Sequence, residues 1–245
     1  MTTAKESPPA PLDVPSPLER DLDVRTRDRM VVLLALLSGA TDATAFLALG
    51  GAFTSVMTGN MVLVGIAAGT GDRSALGRIA AAIVSYVAGV AACSRIAGQA
   101  RVGDGVWPSA VTRALAIEFI LLAAYAAAWW SLGSDPGQGW DIPLLACNAA
   151  ALGVQSSAIL RFGVGNLSTT YLTGTLTTMI RSLATRQPLH TVTRSATILA
   201  GLVLGAAGGA ALVTHARPLA PALQLALLLT VLVTVTPRQR RYASS

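Results

Sequence analysis

Charge is scarce in this chain: Asp, Glu, Lys and Arg make up 12% of its 245 residues, about half the roughly 25% of an average soluble domain. Histidine and cysteine are scarcer still, at two each. Cys93 and Cys147 lie in separate apolar stretches with no CxxC spacing, so neither a redox pair nor a His/Cys metal centre is expected. Aromatic residues make up 5% of the chain, and no basic patch interleaved with aromatics accompanies the net charge of +6 and the pI near 10.1. Nucleic acid is therefore not expected as a partner. Phosphate-cradling glycine loops, HExxH and GxSxG are missing, so the sequence points away from an enzyme, and no cofactor is expected.

What is abundant is apolar sequence, 53% of the whole. Met30 to Ala48 holds one ionisable residue, Asp42, and Leu115 to Leu132 holds only Glu118. Ile79 to Ser94, Leu199 to Thr214 and Leu219 to Thr236 hold none. Runs near 20 residues match a hydrocarbon layer about 30 Å thick at about 1.5 Å per helical residue. They are apolar on all sides, with no amphipathic stripe of a soluble bundle. The fold class is an all-α, polytopic membrane protein, and the bilayer is its first partner. Before Met30, Pro8, Pro9, Pro11, Pro15 and Pro17 among small and charged residues predict a disordered tail over 1–29 with no signal-peptide core. The tail's Arg20, Arg25, Arg27 and Arg29, and Arg238, Arg240 and Arg241 in a basic tail over 237–245, predict both termini in the cytoplasm of a bacterial inner membrane.

Eight apolar segments follow the tail, at about 30–49, 54–69, 75–97, 112–132, 142–160, 167–183, 192–214 and 219–236. The second and sixth are short and hydroxyl-rich, and carry similar Thr-Gly steps: Phe53-Thr-Ser-Val-Met-Thr58-Gly59-Asn60-Met61 and Leu167-Ser-Thr-Thr-Tyr-Leu-Thr173-Gly174-Thr175-Leu176. Arg78, Ser85, Gly89 and Cys93 align with Arg194, Gly201, Gly205 and Gly209, giving segments three and seven a small-residue face suited to close helix packing. Gly39, Thr41 and Asp42 align with Gly153, Gln155 and Ser156. Two units of four segments, 30–132 and 142–236, are expected.

The arginines bear on topology. If segments two and six enter and leave on one side, 14 arginines fall inside and only Arg73, Arg78 and Arg217 outside; if all eight span, 12 fall inside and five outside. The positive-inside bias favours six spans plus two broken or re-entrant segments, which relates the two units by inversion.

Buried polar groups in hydrocarbon need a reason. Asp42 is a candidate coupling acid or solute ligand, or else a cap on the neighbouring Thr-Gly segment. Glu118 is a second candidate acid. Thr58, Gly59 and Asn60 of one segment and Thr169, Thr170, Thr173, Gly174 and Thr175 of the other are candidate substrate ligands, because half-helix ends in two repeats point partial charges at a midplane site. Ordinary helix packing by Ser, Thr and Gly is the alternative. Gln155, with Asn148 on the same segment, could coordinate a ligand or tie helices together. Trp107, Trp129, Trp130 and Trp140 fall at segment ends, as interface anchors do.

The pattern Gly39-x-x-Asp42, Phe53 with Met57-Thr58-Gly59-Asn60, Leu152-Gly153-x-Gln155, and Thr169-Thr170 with Leu172-Thr173-Gly174-Thr175-Leu176 resembles the YoaK-like family of multi-pass bacterial inner-membrane proteins. The resemblance covers the chain beyond the tail. It implies about six spans and assigns no reaction, substrate or residue role. The leading functional expectation is a small-solute or ion permease with its site between the two Thr-Gly segments. A membrane-embedded enzyme using Asp42 and Glu118, and a structural or regulatory membrane protein, are the alternatives; the small-residue faces would also serve a homo-oligomer.

Overall fold

The computed structural model describes residues 17–98, 106–137, 139–162, 172–185 and 189–243. They form α1 (Pro17–Ala48), α2 (Met57–Thr70), α3 (Arg73–Ala97), α4 (Ser109–Ser131), α5 (Asp141–Leu160), α6 (Leu172–Ala184), α7 (Leu189–His215) and α8 (Ala220–Ala243). Six stretches are long and apolar enough to cross a bilayer, carried by α1, α3, α4, α5, α7 and α8. The protein is an all-α polytopic membrane protein. α2 has 14 residues and α6 has 13, about 20 Å each at 1.5 Å per residue, well short of a crossing.

Two of the expected boundaries need correction. Helix α1 starts at Pro17, so the tail to 29 is not wholly without regular structure. Ser16-Pro17-Leu18-Glu19 has the composition of a helix start, with Pro at the first turn and Glu three places after Ser. At the other end α8 continues to Ala243, through most of the expected basic tail.

The direction of each helix can be read from the residues that share a core. Met30–Leu37 of α1 cluster with Cys93 and Ala97 at the end of α3, with the start of α4, the end of α5, Ile198 near the start of α7, and Leu228–Val235 of α8. Ala45 of α1 and Leu49 just past its end cluster instead with Ile79 and Ala82 at the start of α3, Tyr125 and Trp129 at the end of α4, and the start of α5. Helix α1 therefore runs from a terminal face, where α8 also ends, to a far face, and α3 starts at that far face. Leaving α1 and entering α3 on the same side means α2 goes in and comes back. By the same reasoning α5 ends and α7 begins at the terminal face, so the segment holding α6 makes no net crossing either.

Packing pairs α1 with α7 and α3 with α5 most extensively, then α4 with α5 and α8 with α1, while α2 rests on α3 and α6 on α7. Both major pairs are parallel and run backbone against backbone. Gly201, Gly205 and Gly209 of α7 lie in turn over Val32, Leu36 and Ala40 of α1, and a Cβ on Gly205 would overlap the Leu36 carbonyl. In the other pair Gly153 lies over Tyr86 and Val90, and Gly89 over Ala150. Apolar side chains such as Val84, Val87, Val203, Leu204, Leu229 and Val233 point outward, as lipid-facing residues do.

The two faces differ in charge. At the far face Arg78 pairs with Asp141 at 3.8 Å, and Arg217 pairs with Asp135. Asp72 caps α3 there, accepting from the Ala75 amide at 3.0 Å and the Ser74 hydroxyl at 3.0 Å. The Ala75 amide, followed by the Ser74 hydroxyl, holds its carboxyl below the usual carboxylate range. A lowered folded value means the cap stabilises above the ordinary carboxylate pKa and fades as pH falls through the lowered one. Asp72→Ala should therefore melt slightly earlier than the parent at neutral pH and converge with it in strong acid, as measured by thermal unfolding in detergent.

Candidate functional site

Hydroxyls in the middle of α1 begin the site. Ser38, Thr41 and Thr44 each return a hydrogen bond to the carbonyl one turn earlier, on Leu34, Leu37 and Ala40, at 2.8–3.0 Å. This satisfies them without a partner helix. Asp42 has no such local outlet. It is 5% exposed and lies six residues before the end of α1, about 9 Å below the far face.

The chain comes back to it. After α1, Gly50 and Gly51 take positive φ of 95° and 79°, a turn that only glycine makes without strain. The Gly50 carbonyl accepts from Arg78 Nε at 3.2 Å. Phe53 then stacks on Phe46 with ring centroids 4.8 Å apart, and Thr54 and Ser55 descend to Asp42. Asp42 Oδ1 accepts from the Thr54 amide at 2.7 Å, the Thr54 hydroxyl at 2.9 Å and the Ser55 amide at 2.8 Å, and Oδ2 accepts from the Ser55 hydroxyl at 2.5 Å. Helix α2 starts two residues later. Asn60, fully buried in its first turn, clamps the descent by accepting from Phe53 N at 2.9 Å and donating to Phe53 O at 2.7 Å.

The carboxyl group thus pins the segment that leads into α2, just ahead of its N-cap Val56. Of the two roles expected for Asp42, capping of the Thr-Gly segment is the one its geometry fits. A solute reaching Asp42 would have to displace Thr54 or Ser55.

The remaining candidates are dispersed. Thr58 is exposed, and Gly59 packs against Val56 and Phe53 rather than opening toward Asp42. Thr173 and Gly174 are exposed, with nothing near Gly174, while Thr175 is buried. Thr169 and Thr170 lie outside the described residues. The expectation that the two Thr-Gly segments pack together is corrected: among the described residues α2 rests on α3 and α6 on α7. Gln155 crosses from α5 to α1, donating to Ser38 Oγ at 2.8 Å and the Leu34 carbonyl at 3.3 Å, which is the tying role. Asn148 and Glu118 are fully buried; Asn148 lies against the Tyr125 phenol, and neither carboxyl oxygen of Glu118 has a partner.

Two residues of this interior escaped the sequence reading. Tyr125 is buried beside Asn148, and Gln224 is buried with unpartnered amide atoms; Gln224 is the single amide in the apolar run 219–236. Among the described residues no three His, Cys, Asp or Glu side chains gather as metal ligands.

A family model described as "Protein of unknown function (DUF1275)" matches residues 30–236. The UPF0700 transmembrane protein YoaK of Bacillus subtilis is 32% identical over 160 residues, covering 65% of this chain and 68% of that protein. No solved structure matches. The matched region takes in all six crossing stretches and both half-crossing segments, and the chain belongs to the DUF1275 family.

Proposed function

We propose that the protein is a permease for a small polar solute or ion in the bacterial inner membrane, built from two inverted four-helix units, 30–132 and 142–236, with both termini in the cytoplasm. The observation that carries this reading is the half-crossing α2, which opens on Asp42 below the far face and returns. Half-helices that stop inside the bilayer are a costly feature, characteristic of transporters and channels. The packing supports the inverted repeat: exchanging the two units maps α1 on α7 onto α5 on α3, α2 on α3 onto α6 on α7, and α4 on α5 onto α8 on α1. The charge distribution supports the orientation, because Arg25, Arg27, Arg29, Arg95, Arg113, Arg161 and Arg194 sit at the terminal face and Arg73, Arg78 and Arg217 at the far face. The enzyme alternative loses support, since Asp42 is committed to Thr54 and Ser55 and lies about 9 Å below the far face, whereas Glu118 lies about 14 Å below the terminal face.

Purified protein in liposomes, screened with small polar solutes and ions on a solid-supported membrane, is expected to give protein-dependent transient currents or solute uptake. Asn60→Ala, which unclamps the descent to α2, should lower that flux at least about tenfold, the equivalent of about 1.4 kcal/mol. Flux indistinguishable from empty liposomes across the screen would overturn the reading.

A further inference from the structure

Several buried polar groups gather where α4 meets α5 and α8. Glu118 and Tyr125 lie on α4, seven residues apart and therefore on one face. Asn148 is on α5, which packs along α4, and Gln224 is on α8, which packs on α4 from another side. All four are at most 1% exposed; the Glu118 carboxyl oxygens and the Gln224 amide atoms lack a hydrogen-bond partner, while the Tyr125 phenol and the Asn148 amide lie beside each other. Helices α4 and α5 are antiparallel, with Cys147 Sγ against the Leu121 carbonyl at 3.2 Å, so Asn148 comes beside the turn between Glu118 and Tyr125. Glu118 is nine residues from the start of α4, about 14 Å below the terminal face. Tyr125 is six residues from the α4 end, and Gln224 is four residues into α8, so both lie near the far face.

The groups around Glu118 leave its charge uncompensated. From α3 the nearby titratable group is Cys93. From α5 come Cys147 and the amide of Asn148; Gln224 of α8 lies farther along, toward the far face. Arg113 of α4 itself is exposed, and no buried cation faces the carboxyl group among the described residues. A bare carboxylate here would cost several kcal/mol. The group therefore has to hold a proton, or give it up only when water or solute enters. Asp42, by contrast, has four donors on its carboxyl oxygens.

We propose that Glu118 is the proton-binding site of the membrane core, and that Asn148, Tyr125 and Gln224 line the polar route connecting it with the far face. This deepens the permease reading by assigning proton coupling to Glu118 instead of Asp42.

The test uses the full chain in liposomes. A hydrophobic carbodiimide, which reacts with protonated carboxyl groups in apolar surroundings, is applied across a pH series and the modified peptides are mapped by mass spectrometry. Labelling is expected at Glu118, rising as pH falls, with Asp42 unmodified. In parallel, proton uptake driven by a potassium diffusion potential is followed with a trapped pH dye. Uptake should fall at least tenfold in Glu118→Gln relative to the parent. Glu118→Met, which removes the buried carboxyl, controls for folding and should retain a monodisperse elution profile. Labelling that is absent or confined to Asp42, or proton uptake unchanged in Glu118→Gln, overturns the proposal. Solute flux that persists at full rate and independent of pH in Glu118→Gln overturns the coupling and leaves the permease standing. Labelling and proton uptake with no solute flux would support the proton site and remove the permease.

Discussion

Gly205→Leu is expected to prevent the bundle from assembling. Gly205 lies where α7 presses on α1, and even a single added carbon would occupy the space of the Leu36 carbonyl oxygen. The obstacle is backbone, so no rotamer change relieves it, and α7 must move off α1 along its length. Overpacking of an ordinary core costs about 1–3 kcal/mol; here the cost should exceed that range, because Gly201 and Gly209 lose their contacts as well. Gly153→Leu should behave the same way in the α3–α5 pair, where the Tyr86 carbonyl fills the position. Gly65→Leu on α2 has nothing within 4 Å of the new Cβ and should stay within about 0.5 kcal/mol of the parent. Size-exclusion profiles and thermal unfolding in detergent would read all three. Equal behaviour of Gly205→Leu and Gly65→Leu would contradict the packing.

Asp42→Ala should release the entry to α2. Four donors lose their acceptor at once. The two hydroxyls can rotate to other carbonyls, but the Thr54 and Ser55 amides cannot, and each buried orphan costs about 1–3 kcal/mol. A loss of about 4 kcal/mol is expected. Asp42→Asn keeps one oxygen for the two amides and can donate its own amide to Ser55 Oγ, so about half that loss should remain. A cysteine at Val56 in a chain without Cys93 and Cys147 reports the local state: shielded from a soluble maleimide in the parent, reactive in Asp42→Ala. Equal labelling in both would mean that Asp42 does not hold the segment.

Much of this was legible in the chain. The six spans follow from runs of apolar residues matched to bilayer thickness, and the half-crossings from two segments too short and too hydroxylated to span. The aligned Gly201, Gly205 and Gly209 foretold which face of α7 meets another backbone. Other features were hidden for physical reasons. Asp42 meets Thr54 and Ser55 only through the turn at Gly50 and Gly51, a long-range geometry that spacing does not encode. Thr58 looks like a ligand in sequence yet faces outward, because α2 is apolar nearly all round and carries no period to tell inside from outside; Thr173 faces outward on α6 as well. Tyr125 and Gln224 were passed over for the same reason. At the N-terminus the proline count drew attention away from the helix-start pattern at Ser16 to Glu19.

The return of α2 to the face it came from is the centre of this account, and cysteine accessibility tests it most directly. In a cysteine-free chain with a C-terminal tag, Ser74→Cys at the start of α3 and Ser109→Cys at the start of α4 are each probed from either side of the membrane. If α2 turns back, Ser109→Cys reacts on the side of the tag and Ser74→Cys on the opposite side. If Ser74→Cys reacts on the side of the tag and Ser109→Cys on the other, α2 crosses the bilayer and the inverted arrangement is wrong.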